Sequence, residues 1–210
     1  MGFVEKITPL HLDLLREVGN IGAGHAATAL STLLNKKVDM KVPDVQIVSF
    51  DEMIEMAGGA DSVAVSVFLR IEGDTPGSMY FMLPVDEASH YIRTMTGDST
   101  FQFDSPPYSE LGISAMQELG NILIGSYLSS LSDFTKLTLF PTVPSLNVDM
   151  VGALISFGLI EASKESDVAI VIDTALKEEH SQDGKIVKGH FFLLPDPDSF
   201  STIFNALGVS

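Results

Sequence analysis

The chain of 210 residues contains no cysteine, which removes disulfide frameworks, thiolate nucleophiles and thiolate metal sites and suits a reducing, cytoplasmic setting. Basic residues are scarce: 12 Lys and Arg stand against 28 Asp and Glu, for a formal charge of −16. Such a field repels phosphate backbones and anionic headgroups, so neither nucleic acid nor a membrane surface is expected as a partner. The longest apolar run, Met150 to Ile160, has 11 residues with Gly and Ser inside it, where a bilayer span needs roughly 20. The segment Met1 to Leu15 carries no basic region leading into an apolar stretch and cleavage site, and Lys6 stands where a myristoylation pattern wants Ser or Thr. Neither a G-x-S-x-G elbow nor a G-x4-G-K-[ST] loop occurs. His11, His25, His90, His180 and His190 include no pair at metal-binding spacing, so no metal site and no intrinsic cofactor is expected.

What is present is an apolar content of 45%, enough for one sizeable core or for two fused halves of about 100 residues each. An internal repeat favours duplication. With Asp13 to Val45 placed over Ser114 to Leu146, nine positions match without a gap: Glu17/Glu118, Gly19/Gly120, Asn20/Asn121, Ile21/Ile122, Gly24/Gly125, Leu30/Leu131, Ser31/Ser132, Val42/Val143 and Pro43/Pro144. Chance gives about two in such a window. Downstream, Phe81-Met-Leu-Pro84 resembles Phe192-Leu-Leu-Pro195, and each Pro precedes a glycine by 13 residues, Gly97 or Gly208.

Each half reads in the same order. Thr8 and Pro9 open a helix whose Leu10, Leu14, Val18 and Ile21 form an apolar stripe. Val38 to Phe50 has strand character, Asp51 to Met56 is a short helix ended by Gly58-Gly59, and Ser62 to Arg70 and Ser78 to Leu83 are strands around a Gly73 to Gly77 turn. Asp86 caps a helix ending at Gly97. The second half predicts a helix over Tyr108 to Asp133, a strand over Leu137 to Phe140 and an extended piece around Val148. Strands Asp167 to Leu176 and Ile186 to Leu194 follow, joined by a polar loop Lys177 to Gly184, and then a helix over Asp198 to Leu207. Three strands and two or three helices per half predict a single α/β domain over residues 1–210 with internal repeats at about 8–97 and 108–208, in which the halves share one sheet flanked by long helices, related by a pseudo-two-fold.

The stretch Gly22-Ala-Gly24-His-Ala-Ala27 fits the G-x-G-x-x-A dinucleotide fingerprint, but that reading requires a preceding strand. Leu10 to Val18 has helical period, and the second copy replaces the first glycine with Leu123, so a nucleotide-using metabolic enzyme is disfavoured. The polar pairs persist instead. Glu17 and Asn20, like Glu118 and Asn121, are three residues apart and share a helical face, with Asp13 and Ser114 four residues earlier on the same stripe.

The pattern [DS]-x3-E-x2-N-x22-P, at Asp13, Glu17, Asn20 and Pro43 and again at Ser114, Glu118, Asn121 and Pro144, resembles the signature of the CheC/CheX/FliY phosphatases of bacterial chemotaxis. The resemblance spans nearly the whole chain. Its two motifs in this length match the CheC-type arrangement, whereas FliY-type members carry extra domains and CheX-type members are shorter, usually with one motif. It implies hydrolysis of the aspartyl phosphate of the response regulator CheY, modulated by the deamidase CheD. It further implies catalytic roles for Glu17, Asn20, Glu118 and Asn121. Each Asn would hold the attacking water and each Glu would contact a receiver lysine, with Mg2+ arriving on the phosphorylated CheY. The rival expectation is a CheC-like adaptor that binds phospho-CheY and CheD without turnover. The fuller second helix is the favoured site of the two.

Overall fold

Thr8 and Pro9 start the first helix where the sequence places it: Pro9 occupies the first helical position and the Thr8 backbone N–H donates to His11 Nδ1 at 3.0 Å. The computed structural model describes residues 7–162, 168–178 and 186–208. Two halves follow the same order of elements. The first contains α1 (Pro9–Leu34), β1 (Val38–Lys41), β2 (Val45–Ser49), α2 (Phe50–Met56), β3 (Val63–Gly73), β4 (Gly77–Pro84) and α3 (Val85–Thr96). The second contains α4 (Glu110–Thr135), β5 (Leu139–Pro141), β6 (Ser145–Met150), α5 (Val151–Ala162), β7 (Val168–Glu178), β8 (Ile186–Pro195) and α6 (Pro197–Ala206).

All strand pairs are antiparallel in one sheet of order β1-β7-β8-β4-β3-β5, with β2 also on β7 and β6 also on β3. Exchanging each strand for its counterpart in the other half reverses this order and leaves it unchanged. The halves also trade strands, since β1 and β2 pair with β7 of the second half while β5 and β6 pair with β3 of the first.

The sequence predicts three strands per half, and the structure has four. Val38 to Ser49 lies along β7 as one track interrupted by a bulge, because Lys41 pairs with Ala175 and Val45 with Ile172, leaving Val42, Pro43 and Asp44 opposite only Asp173 and Thr174. The same three-against-two mismatch recurs at Thr142, Val143 and Pro144 opposite Leu69 and Arg70. Proline has no N–H for the ladder, so a repeated Val-Pro splits each track at the same place.

Side-chain alternation divides the core between the two faces of the sheet. On one face α1, α3, α4 and α6 cover Val65, Val67, Leu69, Met79, Phe81, Leu83, Phe191 and Leu193. On the other, α2 and the start of α5 cover Ala64, Tyr80, Met82, Val171, Phe192 and Leu194. The run Phe191-Phe192-Leu193-Leu194 is thus buried on both faces, as expected of a central strand. No helix among the described residues is long and apolar enough to cross a membrane.

Several boundaries and faces differ from expectation. Pro84, not Asp86, is the N-cap of α3, and Asp86 sits in its first turn, where it complements the helix dipole. Lys177 lies inside β7, which ends at Glu178, rather than opening a loop, and the rest of that loop, with His180, lies from residue 179 onward outside the described residues. On α1 the buried stripe is His11, Leu15, Val18, Gly19, Gly22, Ala23, Ala26 and Leu30, while Leu10 and Ile21 are exposed.

The glycine stretch is helix interior throughout, with no strand before it. Helices α1 and α4 cross there with backbones almost touching: a Cβ built on Gly22 would lie 3.0 Å from Tyr127 Cα and 3.1 Å from the Ser126 carbonyl. Tyr127 is buried at this crossing, and burial pushes its phenol pKa up. Gly24, by contrast, has nothing within 4 Å of such a Cβ. Gly22→Ala is therefore expected to lower unfolding free energy by about 1–3 kcal/mol through overpacking. Gly24→Ala is expected to raise it by up to about 1 kcal/mol through helix propensity. Urea midpoints of the two variants check the contrast.

Candidate functional site

The two polar motifs lie on α1 and α4, the 26-residue helices of the two halves, and on the bulges that face them. Asp13, Glu17 and Gly24 are exposed on α1, with Asn20 half-buried beside them; Ser114, Glu118 and Asn121 are exposed on α4, with Gly125 half-buried. The helical steps of three and four residues bring each set onto one stripe, as the sequence predicts. The two stripes belong to separate helices, so the structure holds two candidate sites rather than one composite cluster.

Their chemistry is unequal. Asn20 Oδ1 accepts the Val42 N–H at 3.0 Å, and its Nδ2 donates to the Val42 carbonyl at 3.2 Å and to the Arg16 carbonyl at 3.0 Å. The carboxamide thus substitutes for a strand partner at the bulge, supplying one donor and one acceptor to backbone groups that the ladder leaves unpaired. The Asn121 side chain makes no hydrogen bond among the described residues and is exposed.

The cause lies one residue before the valine. At the second bulge Thr142 serves the backbone itself: its N–H donates to the Arg70 carbonyl at 2.9 Å and its Oγ1 accepts the Arg70 N–H at 3.0 Å. Lys41, the counterpart of Thr142, has no β-hydroxyl for such a bond. The matching valines then take opposite environments, with Val42 4% exposed and Val143 89% exposed.

The sites differ in charge as well. In the first, Asp13 and Arg16 pair at 2.8 Å in largely exposed positions, an interaction worth at most about 1 kcal/mol. In the second, Ser114 and Gln117 replace them, and Glu118 stands without an ion pair among the described residues. An apolar rim flanks the second motif, with Leu111 63% and Phe140 58% exposed alongside Val143. Among the described residues no group of three or more His, Asp or Glu could hold a metal ion.

The profile of the CheC-like family matches residues 10–47 and 111–148. Each matched segment runs from the helix through the bulge into the next strand. A Bacillus subtilis protein named CheY-P phosphatase CheC is 48% identical over 211 residues, spanning 100% of both chains. This chain belongs to the CheC-like family. The flagellar motor switch phosphatase FliY of B. subtilis is 34% identical over 129 residues, covering 61% of this chain and 33% of that protein. The crystal structure of Thermotoga maritima FliY shares the fold, with a TM-score of 0.77 at 20% identity over 96% of this chain and 98% of that one.

Within the CheC-like pattern, the 22-residue spacing from Asn to Pro has a structural meaning in the first copy that the sequence alone does not disclose. It is the loop length that returns the residue before the proline to the asparagine. Asn20→Ala strands the buried Val42 N–H and carbonyl and is expected to lower unfolding free energy by about 1–3 kcal/mol. Asn121→Ala is expected to stay within about 0.5 kcal/mol of the parent. Urea denaturation of both variants distinguishes a buried clamp from a free side chain.

Proposed function

We propose that this protein is a CheY-P phosphatase that hydrolyses the aspartyl phosphate of the response regulator CheY in the cytoplasm. Glu118 with Asn121 form its ready site, and Glu17 with Asn20 a second, latent one. The observation that carries this is the pair Glu118 and Asn121, exposed one helical turn apart on α4 with no side-chain partners among the described residues. The naming of the full-length B. subtilis relative as a CheY-P phosphatase supports the substrate.

An acyl phosphate is already activated, so catalysis needs chiefly a water held in line with the phosphorus–carboxylate bond. The Asn121 carboxamide orients that water by hydrogen bonding and does not titrate near neutrality. The water oxygen bonds to phosphorus as the bond to the aspartyl oxygen breaks. The carboxylate leaves unprotonated and the water's protons stay with the phosphate, so no general base is required. Glu118 makes a charge-assisted contact to a lysine of the receiver, fixing α4 over the phosphate. Mg2+ travels on the phosphorylated CheY. The whole chain acts as one unit, with CheD as the modulating partner that the family resemblance implies.

At the first site the same chemistry requires Asn20 to leave Val42. Breaking its three hydrogen bonds, two to Val42 and one to the Arg16 carbonyl, at about 1 kcal/mol each leaves roughly one molecule in 150 with that carboxamide free. Phosphate release from phospho-CheY is therefore expected to fall roughly 100-fold in Asn121→Ala. Asn20→Ala, assayed well below its melting temperature, is expected to fall by less than about twofold. Equal losses in both variants would overturn the inequality of the sites, and no loss in Asn121→Ala would overturn the mechanism. A parent protein that never accelerates release, with or without CheD, is an adaptor.

A further inference from the structure

The sheet face opposite α1 and α4 carries a cleft that the phosphatase chemistry does not use. It encloses about 370 Å3 between β3, β4 and β6 and the first turn of α5, and Ser66, Phe68, Tyr80, Asn147, Asp149 and Ala153 line it. Cross-strand register puts these groups together: Ser66 pairs with Asn147, Ala64 with Asp149, and Phe68 with Tyr80. The Phe68 and Tyr80 rings form one wall, with centroids 4.8 Å apart. Ser66 is 1% exposed, yet its hydroxyl has no hydrogen-bond partner, an unfavourable state for a buried polar atom. One Asp149 oxygen accepts the Met150 N–H at 2.7 Å, and the carboxylate remains exposed at the rim.

The duplicated half shows what this place looks like when it serves packing alone. There Val171 pairs with Gln46 as Ser66 pairs with Asn147, and Ala169 pairs with Val48 as Ala64 pairs with Asp149. The hydroxyl and the carboxylate are thus replaced by Val171 and Val48, both buried in the second core. Among the described residues no basic side chain lines the cleft, and Arg70, two residues beyond Phe68 on β3, is held by both Asp196 carboxylate oxygens at 2.9 and 3.1 Å.

We propose that this cleft binds a small organic cation that also carries a hydroxyl or carbonyl group. The cationic centre lies over the Phe68 and Tyr80 rings and pairs with Asp149, and the polar group takes up the Ser66 hydroxyl. The formal charge of −16 draws cations to such a site and repels anionic competitors. The inference is independent of the phosphatase reading, since it involves neither motif.

Choline serves as the probe, titrated into the 15N-labelled full chain with 3,3-dimethyl-1-butanol as its uncharged isostere. Saturable shifts are expected at the amides of Ser66, Asn147, Asp149 and Ala153, with the isostere weaker by about tenfold or more. Asp149→Asn keeps the acceptor for the Met150 N–H but removes the charge, and is expected to weaken choline by about tenfold. Ser66→Ala is expected to weaken it by about threefold or more. The proposal is overturned if no saturable shift occurs at these amides, if the isostere binds as well as choline, or if Asp149→Asn leaves the affinity unchanged.

Discussion

A proline in the middle of a strand track is the constraint from which both sites derive. Pro43 and Pro144 cannot donate to the ladder, so each track along its partner strand must bulge over three residues and leave backbone groups to be satisfied elsewhere. Buried backbone groups take the nearest partner that offers both a donor and an acceptor. In the first half that partner is the Asn20 carboxamide on the overlying helix. In the second it is β3, reached through the Thr142 hydroxyl and N–H. The two bulges thus differ in what holds them, the asparagine of the overlying helix in one and Thr142 against β3 in the other.

Duplication makes this comparison possible. The two helices have equal length, the same Glu and Asn spacing and the same Val-Pro downstream, so differences between the copies isolate what the shared pattern leaves unspecified. Gly22, where α1 lies against the Tyr127 backbone, is matched in α4 by Leu123, which is buried in the main core. The helices cross closely because Gly22 has no side chain at the contact, and a leucine there, as at Leu123, would run into the Tyr127 backbone. The loss of the dinucleotide-like glycine pattern in the second copy is a consequence of packing.

That crossing also explains how far the sequence could be read. The order of elements and the placing of Glu118 and Asn121 on one helical face follow from periodicity and turn chemistry, which are local, and the duplication from direct comparison of the two halves. The exchange of β1 and β2 onto β7, and of β5 and β6 onto β3, does not, because register between halves is set by contacts more than 65 residues apart in the chain. The apolar stripe of α1 was legible as helical but not by face. Leu10 and Ile21 fit the period and yet are exposed, while Gly19 and Gly22 are buried because a backbone, not a side chain, fills the space against them. The clamp on Val42 was written in the 22-residue spacing, but the same spacing in the second half carries no such bond, so the count alone could not reveal it.

The proposed catalytic pair on the open flank of α4 has no walls of its own, and this places the burden of binding on what surrounds it. The long-range field of this chain, at −16, opposes approach to a phosphorylated acidic cleft. Glu118 offers one directed charge contact, and at an exposed surface such a contact contributes little until water is excluded. Leu111, Phe140 and Val143 are the groups able to exclude it, because each exposes apolar area whose burial is worth up to about 1.5–3 kcal/mol. The first site keeps only the helix part of this rim, the exposed Leu10 that matches Leu111, since at its bulge Val42 is buried and Asp39 stands in place of Phe140. The freedom of Asn121 and the apolar rim beside it therefore share one origin: the bulge that Thr142 holds against β3 releases the asparagine and turns its valine outward.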